Sequence, residues 1–241
     1  MKLTGKLIIS GKIKTLTGLH IGGSKTALEI GGVDLNVIKT PDGVPFIPGS
    51  SLKGKMRGLL AREYGSTDVR NDEPHIKAIF GHADKQNPAV TRLIVRDAHL
   101  YKDAFVRYFG AHQMEFPYSD IKWENRINRV SGTAIDPRQL ERVPAGVYFD
   151  CQFVYDVYDD KPNLKKHLDT LLLAFKILQD DYLGGQGSRG YGQIQFEQMS
   201  VVFKSLKNGE YEVLTDLNEH QEIKTFSKFI SDNYAHSSDP A

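Results

Sequence analysis

The chain has 241 residues, 40% of them hydrophobic and 25% charged, which is enough to bury a substantial core in one domain. No apolar run approaches the roughly 20 residues of a membrane-spanning helix. The start, MKLTGKLIISGKIK, alternates apolar and polar residues where a signal peptide has an apolar block, so no membrane partner and a cytoplasmic location are expected. The single cysteine, Cys151, excludes an internal disulfide and a cysteine-rich zinc site. Net charge is only +1, which by itself argues weakly against nucleic acid, but the charges are unevenly spread. Residues 1–28 hold Lys2, Lys6, Lys12, Lys14 and Lys25 with no acid, and residues 50–62 add Lys53, Lys55, Arg57 and Arg62, again with none. Residues 205–241 hold seven acids against three lysines, so one surface is expected to meet phosphate and the opposite end is not.

In chain order, Leu3, Leu7, Ile9 and Ile13 predict a strand over residues 2–16. A glycine-rich loop, GLHIGGSKTALEIGGVD, follows at 18–34. Val37 and Ile38 begin a second strand, and Pro41-Asp42-Gly43 is a turn signal. Ser50 or Ser51 is expected to cap a helix running to about Tyr64, with Leu52, Met56, Leu59 and Leu60 on one buried stripe and Lys53 and Arg57 sharing another face. Residues 65–90 are polar and are read as an insertion with a short helical stretch at HIKAIFGH. TRLIVRDAHL, 91–100, is predicted to be one strand.

Residues 110–146 combine Phe116, Tyr118 and Trp123 with alternating charge, and Pro137 and Pro144 break any helix; a projecting hairpin is expected. Tyr148 to Tyr158 alternates aromatic and β-branched residues with polar ones, a strong strand pattern. Leu164, Leu168, Leu171, Leu172, Phe175 and Leu178 give the clearest amphipathic helix, ending in DDYLGGQGSRGYGQ and a final strand from Ile194 to Phe203. Residues 204–241 read as a short strand or turn, or a helix, and a polar tail that frays. The fold class is α+β: a ferredoxin-like or RRM-like split βαβ palm with an inserted helical segment and a projecting hairpin. Residues 1–204 form the one domain, and 205–241 are a partly flexible extension.

Two phosphate motifs fail in context. Gly49-Ser-Ser-Leu-Lys-Gly54-Lys55-Met56 has P-loop spacing, but methionine stands where a magnesium-binding hydroxyl is required. A helix amino terminus beside Lys53, Lys55 and Arg57 still offers a seat for phosphate. Gly185-Gln-Gly187-Ser-Arg-Gly190 matches the dinucleotide pattern but follows a helix and opens a strand, the reverse of what that motif needs. Five glycines within residues 184–192, with Ser188, Arg189 and Tyr191 among them, instead let backbone amides approach an anion. His75, His82 and His99 are too loosely spaced for zinc, and no structural zinc is expected. His20 is open to two readings, a packing histidine or an RNA contact.

The loop YLGGQGSRGYGQI resembles the carboxy-terminal glycine-rich loop of the RAMP superfamily of CRISPR proteins. GLHIGG at 18–23, IGGVDLNVIK at 30–39 and PFIPGSSLKGKMRGLLA at 45–61 look like the repeated backbone subunit of type III-A (Csm) effector complexes, and RINRVSGTAIDPRQLERVPAG at 126–146 looks like its thumb hairpin. The resemblance implies RRM-like palms stacked as copies along a CRISPR guide RNA beside other Csm subunits, each thumb flipping a nucleotide out of the guide–target duplex. It also implies target-RNA cleavage by an aspartate after the first strand, here Asp34, as base or as ligand for Mg²⁺ or another divalent cation. Left to the bare sequence, Asp34 after Gly-Gly-Val is more simply a turn former or cap.

The implied guide contacts are His20, Lys53, Arg57, Arg189 and the loop at Gly185, Gly187 and Ser188, with Lys55 on another side of its helix. Arg126, Arg129 and Arg138 would meet phosphate in the thumb, Ile135 would wedge between bases, and Trp123 would stack or pin the hairpin root. Glu124 and Glu141 are the expected ion-pair partners of those arginines. The alternative is a non-catalytic RNA-binding scaffold of the same kind. A stand-alone precursor-trimming nuclease is disfavoured because helix 50–64 has no histidine. Head-to-tail surfaces of such a subunit continue into filaments.

Overall fold

The computed structural model describes residues 2–23, 35–82, 90–110, 114, 116–159, 163–207 and 210–221. Strand β1 (Leu3–Thr15) is followed by β2 (Phe46–Ile47), α1 (Gly49–Glu63), α2 (Pro74–Phe80), β3 (Leu93–Val95), β4 (Ala98–Leu100) and α3 (Lys102–Phe109). Then come β5 (Asp120–Ile127), β6 (Ala134–Arg142), β7 (Tyr148–Tyr158), α4 (Leu164–Asp180), β8 (Ile194–Lys207) and β9 (Glu210–Gln221). The main sheet is antiparallel in the order β2-β4-β7-β1-β8-β9, with β3 also paired to β7, and β5–β6 form a separate ribbon. Counting β1, β3/β4, β7 and β8 as first to fourth, the spatial order is fourth, first, third, second, the split βαβ arrangement.

Alternation decides which face is buried. Leu7, Ile9 and Ile13 of β1 and Phe149, Cys151, Phe153 and Tyr155 of β7 point to the helical side, where Leu52, Met56 and Leu60 of α1 meet Leu168, Leu171, Phe175 and Leu178 of α4. Phe153, Phe175 and Phe196 stack edge to face or tilted, with Phe175 at 4.9 Å from each of the other two ring centres. Burial pushes the Cys151 thiol up to about 12, so it is an inert core residue. α2 belongs to this core: Ile76, Ile79 and Phe80 are buried in the helical layer.

The structure departs from the sequence expectation in four places. Residues 91–100 are two strands, because the pairing with β7 breaks at Asp97, whose carboxylate accepts from the Gly49 amide at 2.8 Å, while the Arg96 amide still donates to Gln152 at 3.1 Å. That contact caps α1 from outside; the residue at its cap is Pro48, and Ser50 and Ser51 lie within the helix. Val37 belongs to no regular strand, since Leu35, Val37 and Lys39 each make only a single pairing. Helix α3 was not foreseen, and β9 runs to 12 residues where a short strand, turn or helix was expected. The turn at 41–43 is present, with the Thr40 amide donating to Val44 at 2.9 Å.

His75 is 5% exposed, has neither ring nitrogen hydrogen-bonded, and packs edge-on against Tyr64 at 5.1 Å. Burial, reinforced by the charge of Lys166, holds its pKa below the ordinary 6.5. Above that value folded and unfolded chains are both neutral here. Below it only the unfolded chain takes up the proton, so stability falls as pH drops from 6.5 towards the folded value. His75→Phe is expected to shrink the loss of thermal stability between neutral and mildly acidic pH, measured by circular dichroism melting at a series of pH values. Asp97→Ala is expected to cost about 1 kcal/mol in urea unfolding through the lost cap.

Candidate nucleic-acid interface and cleavage site

The end of β1 delivers residues 19–23 into a junction of three other segments. Leu19 pairs with Val143 just beyond β6, exchanging hydrogen bonds of 2.9 and 2.8 Å. His20 is buried, its Nδ1 lying 2.7 Å from the Glu141 carbonyl. On its other side the Gly185 amide donates to the His20 carbonyl at 2.8 Å. The glycine-rich loop and His20, 165 positions apart in the chain, are thus one structural unit.

Three of the loop's glycines, Gly184, Gly187 and Gly192, are sterically required. Gly184 has φ +80° and any Cβ there would sit 2.3 Å from the His20 carbonyl oxygen. At Gly187 a Cβ would fall 2.1 Å from the Tyr182 ring. A short turn, Gly187–Arg189, then presents Ser188 and Arg189 outward, with the Arg189 guanidinium donating to the Gln186 side chain. Gly185 and Gly187 themselves are half-buried.

The β5–β6 ribbon carries the exposed apolar residues Trp123, Ile127 and Val130, the last 98% exposed at the tip, whereas Ile135 is half-buried. Asp136, at φ 55°, precedes Pro137 where the ladder register shifts, which lets a proline sit in the strand. Arg126 pairs with Asp136 at 3.1 Å and Arg138 with Glu124 at 3.2 Å. Arg129 is exposed and has no partner among the described residues.

Burial pushes the Glu124 carboxyl up, but Arg138, Tyr191 and Lys122 outweigh it and hold it below the usual range. Tyr191 is buried under this root, with Lys122 4.6 Å and Arg142 5.9 Å from its ring centre. Glu124 approaches its hydroxyl without completing a well-formed hydrogen bond, and burial pushes the phenol up to about 12. Asp120 grips Arg142 through two contacts at 3.0 and 3.1 Å and raises its already high pKa.

The cations of α1 are engaged within the chain. Lys53 donates to Thr91 at 2.7 Å and to the Leu93 carbonyl at 2.8 Å, and burial followed by the Arg57 charge lowers its pKa. Arg57 donates to Asp72 at 2.7 Å and to the Gly81 carbonyl at 3.0 Å. Lys55 pairs with Asp181 at 3.2 Å and lies 3.5 Å above the Tyr182 ring. Linear charge showed these cations but not their internal acceptors.

Asp34 lies outside the described residues. The segment after it is well placed: Leu35 pairs with Leu140, Val37 with Gly22, and the Ile38 amide donates to Ile21 at 2.8 Å. Its anchor is Glu141, whose carboxylate accepts from the Val37 amide at 2.9 Å and also binds the Lys39 ammonium and the Ser119 hydroxyl. Glu141 therefore takes a lysine partner, not the arginine expected, because β6 points it inward while Arg126, Arg129 and Arg138 stay outside. Lys39, Ser119, Lys122 and Arg142 escaped the sequence reading, because an isolated lysine or serine carries no pattern, and Tyr191 was singled out with the glycine-rich loop but not as part of the hairpin root. Among the described residues no three His, Cys, Asp or Glu side chains cluster as a metal cage, and His99 stacks on Phe46. No described helix is long and apolar enough to cross a membrane.

Residues 12–195 match the RAMP superfamily. The chain is 43% identical over 218 residues to the CRISPR system Cms endoribonuclease Csm3 of Methanocaldococcus jannaschii, spanning 85% of this chain and 84% of that protein. It is 39% identical over 221 residues to the Streptococcus thermophilus protein of the same name, spanning 89% and 96%. Among solved structures, the Csm3–Csm4 subcomplex of the type III-A CRISPR-Cas interference complex matches with a TM-score of 0.58 at 30% identity, over 96% of this chain and 98% of that one. The type III-B Cmr-beta complex bound to cognate target RNA matches at 0.54 and 18% identity, over 82% of this chain and 61% of that one, a likeness of fold alone. The chain belongs to the RAMP superfamily and, within it, to the family of CRISPR-system Cms endoribonucleases.

Gly184→Ala is expected to destabilise the fold by about 1–3 kcal/mol, from the left-handed φ and the clash with His20. Unfolding in urea measures the first effect. The same variant is expected to hold RNA less tightly in filter binding, because the displaced loop no longer presents its amides.

Proposed function

We propose that this chain is a guide-RNA-binding backbone subunit of a type III-A CRISPR interference complex and cuts the target RNA as an endoribonuclease, with Asp34 at the scissile phosphate. The observation that carries the reading is the family match across residues 12–195, which spans the junction of His20, the glycine-rich loop and the hairpin root that holds the segment following Asp34. Its partners are guide RNA, target RNA, further copies of itself and other Csm subunits, in the cytoplasm.

RNA supplies its own nucleophile. The 2′-oxygen attacks the adjacent phosphorus, the P–O2′ bond forms as the P–O5′ bond breaks, and the products are a 2′,3′-cyclic phosphate and a 5′-hydroxyl that takes up a proton. The protein has to hold the in-line geometry and help remove the 2′ proton. Asp34 takes that proton directly or through water, or is a ligand. As a ligand, Asp34 would hold a divalent cation, which would supply charge neutralisation at the phosphate.

Guide phosphates fall to exposed groups: Arg129, Arg189, Ser188 and the amides about Gly185 and Gly187, with His20 as the support beneath them. Arg126 and Arg138 join by exchanging partners. The Arg126–Asp136 side chains are 74% and 72% exposed, and a pair in that setting is worth about 0–1 kcal/mol, so phosphate displaces it readily. Arg57 differs, because Asp72 is buried and stripping it of its partner costs about 3–5 kcal/mol. Lys53, Lys55 and Arg57 therefore contribute positive field from fixed positions. None of these groups reads a base edge, as a protein that accepts any guide requires.

The test is target-RNA cleavage by the assembled complex, wild type beside Asp34→Ala, each with Mg²⁺ and with EDTA. The variant is expected to lose at least about 100-fold in cleavage rate while binding guide and target as before. Wild-type cutting by the variant would make the chain a scaffold.

A further inference from the structure

Glu141 is a carboxylate that the cleavage chemistry does not use and that the fold nevertheless buries, at 2% exposure. A charge so placed must be paired and hydrogen-bonded, and this one has three donors drawn from two parts of the chain. Ser119 stands just before β5, Lys39 is at the far end of the segment after Asp34, and the Val37 amide lies in its middle. The main chain of the same residue completes the joint: its amide donates to Leu35 at 3.1 Å and its carbonyl receives His20 Nδ1 at 2.7 Å. Lys39 is held from the other side as well, 4.8 Å from the Phe116 ring centre.

We infer that Glu141 is a positioning residue for target cleavage: it locks residues 35–39, which start at the neighbour of Asp34, to the root of the projecting hairpin. This rests on the role proposed for Asp34. The hairpin deforms the RNA, the aspartate acts on the phosphate, and in-line attack tolerates little error between them, since a displacement of about 1 Å costs about 100-fold in rate. A loop rich in glycine cannot supply that accuracy from its own sequence. The carboxylate supplies it by fixing the first residues downstream to the ribbon itself. Backbone pairing alone is weaker at this point, because Leu35, Val37 and Lys39 make single pairings and no continuous ladder.

The test uses reconstituted complexes carrying Glu141→Ala, Glu141→Gln, Lys39→Met or Asp34→Ala beside wild type. Four quantities are read: guide content, thermal stability, target affinity, and the single-turnover cleavage rate at saturating target. Glu141→Ala is expected to cut about 10- to 100-fold more slowly with target affinity within about threefold of wild type. Glu141→Gln, which keeps one acceptor, and Lys39→Met, which keeps the other two donors, are expected to lie between. The inference is overturned if the Glu141 variants cut at the wild-type rate, or if their loss of rate is matched by loss of target affinity. Should Glu141→Ala fail to assemble, Glu141→Gln decides alone by the same criteria. If Asp34→Ala cuts normally, the proposed catalytic aspartate fails first, and any slowing by Glu141 variants then has another origin. If Asp34→Ala is inactive while the Glu141 variants are unaffected, only the positioning role is lost.

Discussion

Strand β1 is paired along both edges, with β7 from Leu3 to Lys14 and with β8 from Gly5 to Thr15, and among the described residues no other strand is held from two sides over such a length. With its hydrogen-bonding groups committed and its Leu7–Ile9–Ile13 face in the core, its carboxy-terminal end has one possible exit. Thr15 fixes that exit. Its hydroxyl donates to Pro144 at 2.9 Å and receives the Val147 amide at 2.9 Å, so the chain leaves the sheet beside the returning end of the hairpin. Leu19 and His20 follow from there, and so does the docking of the glycine-rich loop. The site is a consequence of where a doubly paired strand ends.

The same pairing explains why charge counted along the sequence misleads. Lys6, Lys12 and Lys14 make the front of the chain look basic, yet on the open face of the sheet they meet Asp156, Asp150 and Glu197 across the neighbouring strands. Lys12 and Lys14 also lie over the Tyr101 and Tyr148 rings. A hydrogen bond with Tyr148, then one with Glu197, raises the Lys14 pKa. Antiparallel neighbours cancel charge across the sheet, where the linear sequence cannot show it. Exposed cations remain on the hairpin at Arg126 and Arg129 and on the glycine-rich turn at Arg189, and also on the helices, at Arg62, Lys102, Arg107, Lys165, Lys166 and Lys176.

Much of the fold was legible because its strongest elements have clean periods. Tyr148–Tyr158 alternates throughout, and the apolar positions from Leu164 to Leu178 repeat with helical spacing, so both emerged with nearly their observed bounds. The hairpin was legible from its composition and prolines. The break between β3 and β4 was not, because it exists to bring Asp97 to the start of α1, a contact 48 residues away. For the same reason Lys53 and Arg57 looked free: their partners at Thr91, Leu93 and Asp72 are set by how α1 packs, not by its own sequence. The glycine-rich loop was readable as a turn, but not as the neighbour of His20, since nothing in either segment refers to the other. Asp34 rests on resemblance alone and lies outside the described residues.

The junction at His20 is built mostly of main chain. The carbonyls of His20, Glu141 and Leu35 and the amides of Val37, Gly185 and Glu141 make its contacts, and side chains enter at only a few points. On the proposed reading, in which the substrate RNA brings its own nucleophile, that economy suits the protein. What remains to be supplied is placement, and peptide groups in a fixed sheet place atoms more rigidly than long side chains do. It also suits indifference to sequence, because peptide groups and exposed arginines recognise phosphate and ribose equally well at every nucleotide. A site made this way is vulnerable at its few side-chain struts more than at its many cations. Losing one of several arginines removes a fraction of a shared field, whereas losing the single buried carboxylate of the joint leaves three donors without their common acceptor.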